Sequence, residues 1–154
     1  YLKENVFGIS RVWVQSATPS AGSITVYFDT TANNISTSSE NTVVKNALME
    51  IRPPQMSSAN IIVNSPTAVP INITFTSLSP ITQNMKTAIT TELQTYFKSD
   101  QVAVGKTVSL REINSVLYNV VDSDGNSPTF TISAPAGDTA ISSSQLAILG
   151  TITF

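Results

Sequence analysis

A chain of 154 residues with 41% hydrophobic side chains suits one compact domain over residues 1–154, whose core buries about 70% of the unfolded surface without help from disulfides or metals. Neither histidine nor cysteine is present, which removes the usual zinc, haem, thiol and imidazole chemistry, and no cofactor is expected. Eight Lys and Arg against ten Asp and Glu give a formal charge of −2, with the bases too scattered to neutralise a row of phosphates and no apolar run near the ~20 residues that cross a bilayer.

Two β-rich segments come first. Ile9 to Gln15 and Ser23 to Phe28 alternate aromatic and β-branched residues, and Thr18-Pro19-Ser20-Ala21-Gly22 between them is turn chemistry, so the pair reads as a hairpin. A polar loop, residues 29–38, leads to a first helix. Val43, Val44, Ala47, Leu48 and Ile51 recur at helical spacing, Thr37 and Glu40 are placed as a capping box, and Pro53-Pro54 stops the helix. Asn60 to Asn64 and Val69 to Leu78 then read as strands. In the second, Ile71, Ile73 and Phe75 point inward and Asn72, Thr74 and Thr76 outward, while Pro70 marks an edge or a strand start.

Ser79 as cap and Pro80 at the first helical position announce a second helix, whose apolar stripe is Ile81, Met85, Ile89, Leu93, Tyr96 and Phe97. After Gly105, Ser109 and Glu112 form the pattern of a capping box for a third helix carrying Leu110, Ile113, Val116, Leu117 and Val120. The chain closes with β-like segments, Thr129 to Ser133 and Gly150 to Phe154, separated by a loop with Pro135 and Gly137. The order ββ-α-ββ-α-α-ββ predicts an α+β fold, with about three helices packed on a mixed or mainly antiparallel sheet.

Several motifs invite a chemical reading and have a plainer one. Gly105-Lys106-Thr107 matches the end of a phosphate loop, but Asp100 stands where the earlier glycine is needed, and a helix-exit glycine beside a solvated lysine explains it. Asp122-Ser123-Asp124-Gly125-Asn126 starts like a calcium loop, yet Gly125 is fourth rather than sixth and Ser133 stands twelfth in place of Glu, so a turn is expected. Glu40 and Glu112 sit at helix starts and Glu50 and Glu92 near helical bases, leaving no carboxylate pair for acid/base work. Asn34-Ile35-Ser36 and Asn72-Ile73-Thr74 match the glycosylation pattern, as an Asn- and Thr-rich chain does by chance. Trp13, Tyr27 and Phe28 read either as a ligand-stacking platform or as residues alternating into the core or a subunit contact, with the latter preferred.

Six segments in order resemble a known family. They are Ser10-Arg11-Val12-Trp13-Val14 with Gly22-Ser23-Ile24-Thr25-Val26-Tyr27-Phe28, the run 66–73, the Ser79-Pro80 helix ending Tyr96-Phe97, the run 104–113, Pro135-Ala136-Gly137-Asp138, and the terminal run 145–154 with its Leu149-Gly150-Thr151-Ile152-Thr153-Phe154 ending. Together they resemble the C-terminal region of the baseplate J-like protein family, the Mu-like tail baseplate wedge proteins of contractile-tailed phages.

The resemblance implies a non-enzymatic structural module of a phage or prophage tail baseplate, one that makes subunit contacts in the ring around the tail hub. It implies other wedge and hub subunits as partners, copies of itself included, and excludes nucleic acid, membrane and small-molecule substrate. It places the protein in the virion baseplate, assembled in the bacterial host cytoplasm. No catalytic, cofactor or metal residue carries over, and no interface residue can be named. The start at Tyr1 and the missing family portions suggest the C-terminal domain of a longer baseplate protein. Strand edges at Asn60 to Asn64 or Val69 to Leu78 are the expected docking elements. A surface adhesin or glycan-binding module is the alternative, on the strength of the hydroxyl-rich strands and Trp13.

Overall fold

The computed structural model describes residues 1–31 and 35–154. The α+β class and the order of elements agree with expectation, with one added short helix at the start, but the strands are shared between two three-stranded sheets. The chain divides into two compact units, Tyr1–Thr67 and Ala68–Phe154.

In the first unit a short helix α1 (Leu2–Asn5) precedes an antiparallel hairpin of β1 (Ile9–Ser16) and β2 (Ile24–Thr30). Helix α2 (Ser38–Ile51) then carries the chain over to β3 (Ile61–Val63), which lies parallel to β2 with Ile24 opposite Ile61 and Val26 opposite Val63. Parallel pairing needs such a crossover, and α2 supplies it. The core is Leu2, Ile9, Val26, Phe28 and Val44, with Val12, Ala47 and Leu48 packed against it.

The capping box at the start of α2 forms as the spacing predicts. Thr37 Oγ1 accepts from the Glu40 backbone N–H at 3.3 Å, and the Glu40 carboxylate accepts from the Thr37 N–H at 2.6 Å. The buried stripe is narrower than the sequence implied: Val44 is buried, whereas Val43 and Ile51 are 55% and 51% exposed. The helix meets its core through Val44, Ala47 and Leu48, while Val43 beside this line and Ile51 at the helix end remain in water.

A bulge interrupts the hairpin between Ile9 and Val12, where Ser10 and Arg11 together face Asp29. Asp29 answers it with its own carboxylate. Oδ1 accepts from the Arg11 backbone N–H at 2.7 Å, Oδ2 accepts from Arg11 Nε at 2.7 Å, and Nη2 lies 2.5 Å from Oδ2. Both side chains are buried, so the charges are paired out of water.

The second unit is built on β4 (Thr67–Ser79), which lies between β5 (Thr129–Ala134) and β6 (Gln145–Thr153). Its alternation is as read: Ile71, Ile73 and Phe75 are buried, Asn72 and Thr76 exposed. Pro70 falls near the strand start, ahead of the Thr74–Ser79 stretch that pairs antiparallel with β5. The edge assignment for Val69 to Leu78 is overturned, because that segment is the central strand; β5 and β6 end the sheet, and β3 ends the other one with β1.

Helix α3 (Gln83–Lys98) buries Met85, Ile89, Leu93, Tyr96 and Phe97, the stripe read from spacing. Its start lies later than Ser79-Pro80. Ser79 is still extended and pairs with Thr129, so the cap is Thr82, whose hydroxyl accepts from the Met85 N–H at 3.2 Å, and Ile81 is left 62% exposed. Helix α4 (Leu110–Tyr118) buries Ile113 and Leu117, with Val120 buried just beyond it. Its cap is half of the expected box. Ser109 accepts from the Arg111 N–H, but the Glu112 carboxylate turns to Tyr96, and Asp138 Oδ1 takes the Leu110 N–H at 2.8 Å.

Strand β6 runs from Gln145, longer than the Gly150 to Phe154 segment expected. Its Gly150 has a specific cause. Asn72 folds its side chain across the neighbouring strand so that Oδ1 accepts from the Thr151 N–H at 2.9 Å. A Cβ at position 150 would fall on that Oδ1 and lie 3.1 Å from the carbonyl carbon and oxygen of Ile71. Gly150→Ala is therefore expected to destabilise the second unit by about 1–3 kcal/mol in denaturant unfolding. Adding Asn72→Ala should restore part of the loss, since the atom that the new methyl meets is gone; full additivity of the two changes would refute the contact.

Candidate functional site

The motifs that invited chemical readings are each occupied by structural work. Gly105 turns the chain after α3 with φ +76°, donates to the Gln145 carbonyl at 2.9 Å, and leaves no room for a side chain because Ser143 Cα would lie 3.1 Å away. Lys106 donates to the Gln101 carbonyl at 2.6 Å and stands 3.8 Å from Glu112. With α4 starting only at Leu110, this is a helix exit and not a phosphate cradle.

Asp122 closes a turn. Its carboxylate accepts from the backbone N–H groups of Asn126 at 2.8 Å and Asp124 at 3.0 Å, and its own carbonyl takes the Gly125 N–H at 3.0 Å. The Asn126 N–H holds this carboxyl below its ordinary range, with further bonds from Asp124 and Gly125 acting the same way against the opposing effect of burial. Asp124 is engaged by the Asn84 side-chain amide at 2.8 Å. Among the described residues no three acidic side chains gather to hold a metal ion.

Glu112 joins the two helices of the second unit. Tyr96, buried on α3, donates its hydroxyl to Glu112 Oε2 at 2.9 Å, a bond that the sequence did not disclose because its partners lie on different helices. Burial first, then the bond to Glu112 and its negative charge, push the phenol above its ordinary value. Glu40 is spent in its capping box. No carboxylate pair is poised for acid/base chemistry among these residues.

The first hairpin offers no open platform. Tyr27 and Phe28 are buried, as the core reading expected of them, and the Arg11 guanidinium lies over the half-buried Trp13 ring at 5.0 Å. Asn72 is tied to β6 as described, and Asn34 lies outside the described residues.

Two surfaces stand out beside these internal bonds. Strands β4, β5 and β6 contain no Asp, Glu, Lys or Arg, and the exposed Thr76, Ser77, Thr129, Thr131, Thr151 and Thr153 make the outward side of this sheet hydroxyl-rich and uncharged. In the first unit an apolar recess of about 360 Å³ lies between α2 and the sheet, with Val43 and a fully exposed Phe7 at its mouth. No helix is long and apolar enough to cross a membrane among the described residues.

The second unit is a compact α+β unit whose three strands carry no charged side chain. Residues 69–154 match the baseplate J-like protein C-terminal domain family. The match covers more than half of the chain and coincides with the second unit, and the chain belongs to this family of phage tail baseplate structural proteins. The resembling segments in the hairpin, Ser10 to Val14 and Gly22 to Phe28, fall in the first unit and outside the match. No curated protein matches the chain.

The Tyr96 bond makes a pH test. The folded state keeps this phenol neutral while the unfolded chain ionises it near its ordinary value of about 10, so stability falls as pH rises past that point. Tyr96→Phe should cost about 1 kcal/mol at neutral pH and flatten the alkaline slope in thermal melts; an unchanged slope would show that the phenol is not held neutral.

Proposed function

We propose that this chain is an assembly module of the wedge of a contractile-tail baseplate, the C-terminal domain of a longer protein, working by docking and without catalysis. The observation that carries the reading is the family match over residues 69–154, the unit whose sheet has no charge. Folded proteins commonly protect open sheet ends with charges, prolines or covering segments. Strands β5 and β6 end their sheet and carry neither charge nor proline, which suits them to strand pairing with a neighbouring subunit. The apolar recess beside Val43 and Phe7 gives the first unit a contact of a different kind.

In this reading the partners are other wedge subunits, copies of this chain among them, and the tail hub. Neither nucleic acid, membrane nor a small-molecule substrate takes part. The particle is encoded by a phage or prophage and assembled in the host cytoplasm. Antibody raised against residues 1–154 should, in electron micrographs of particles from the source cells, decorate the ends of contractile tails. Label on cell envelopes or fibre tips, with bare baseplates, would overturn the assignment and favour an adhesin.

A further inference from the structure

We propose that the outer face of α4 is a binding site for a neutral pyranose glycan, a function beyond the assembly role and independent of it. An open groove of about 670 Å³ runs along this helix, lined by Arg111, Asn114, Ser115, Tyr118, Asn119 and Asp138. The five helical positions follow the i, i+3, i+4, i+7, i+8 spacing that gathers side chains on one face. Tyr118 is 68% exposed, yet its ring is held in place by Phe130, with ring centres 4.9 Å apart and planes tilted by 43°. Most of an anchored aromatic surface is thereby offered to solvent.

A pyranose ring presents one side of C–H groups that stacks on such a surface and a rim of hydroxyls that both donate and accept. The groove matches each part. Asn114 supplies an amide, which can donate and accept at once, and Ser115 a hydroxyl. Asn119 has its Nδ2 committed to the Ser115 carbonyl at 2.8 Å, which fixes the direction of its Oδ1 as an acceptor. Asp138 has Oδ1 committed to the Leu110 N–H at 2.8 Å and to the Ser109 hydroxyl at 3.2 Å, which fixes Oδ2 in the same way. The Asn119 and Asp138 side chains are held before a ligand arrives, so binding has less conformational freedom to remove from them.

Arg111 and Asp138 both line the groove, and an uncharged polyol uses both as hydrogen-bonding groups. No bond is made or broken.

The test is a titration of the full 154-residue chain, labelled with nitrogen-15, with maltotriose, cellotriose and triacetylchitotriose, read by amide shifts. At least one sugar should move α4 backbone amides and the side-chain amides of Asn114 and Asn119 along a saturating curve. Tyr118→Ala should weaken that binding about tenfold or more, Tyr118→Phe should retain it, and Asn114→Ala should weaken it with the rest of the spectrum unchanged. The proposal is overturned if none of the three sugars moves these amides, or if the shifts survive Tyr118→Ala. It is equally overturned if the α4 amides respond to protein concentration and not to sugar, which would make this face a protein contact.

Discussion

Strand β4 has to satisfy two surroundings at once, and the second unit is organised around that demand. One side must be apolar enough to join the core, and the other must tolerate water while its backbone is paired on both edges. Alternation meets the demand: Ile71, Ile73 and Phe75 go in, each contributing about 1.5–3 kcal/mol by burial, and Asn72 and Thr76 go out. The neighbouring strands inherit the pattern. Phe75 stacks on Phe154 with centroids 5.4 Å apart and meets Phe130 edge-on at 6.1 Å, so the aromatic end of the chain is fastened to the same strand. Asn72 fixes β6 from the outer side and explains why a glycine must stand at position 150.

How much of this could be read in advance depends on the distance in sequence over which each interaction acts. The Thr37–Glu40 box spans three residues and the α3 stripe repeats every three or four, so both were legible and both formed. Ser79-Pro80 misled because a cap and a strand end look alike locally; what decides between them is Thr129, fifty residues on. Glu112 was read as a cap for the same reason, although Tyr96 on another helix claims it. The Arg11–Asp29 pair and the Asn72–Thr151 bond left no periodic trace at all, since each joins two strands through one contact. Division into two units was equally hidden, because apolar alternation tells which side of a strand is buried and says nothing about which sheet it joins.

The same accounting shaped the reading of the candidate sites. Acids and amides that might have done chemistry are found holding helix starts, turns and strand joins, which left surfaces as the places to look for function. Those surfaces differ in character. The sheet of the second unit is uncharged through all three strands, the first unit has an apolar recess, and α4 carries an open groove beside one exposed tyrosine. The unit with the uncharged sheet is the one that the baseplate family defines.

The central claim is that residues 67–154 form a self-sufficient core around β4, and the most direct measurement is made on that segment alone. Its thermal unfolding, followed by circular dichroism beside a two-dimensional amide spectrum, should show one cooperative transition and dispersed signals that overlay those of the same residues in the full chain. A collapsed spectrum with no transition, while the full chain melts cooperatively, would contradict the account and make the first 66 residues a necessary part of that core.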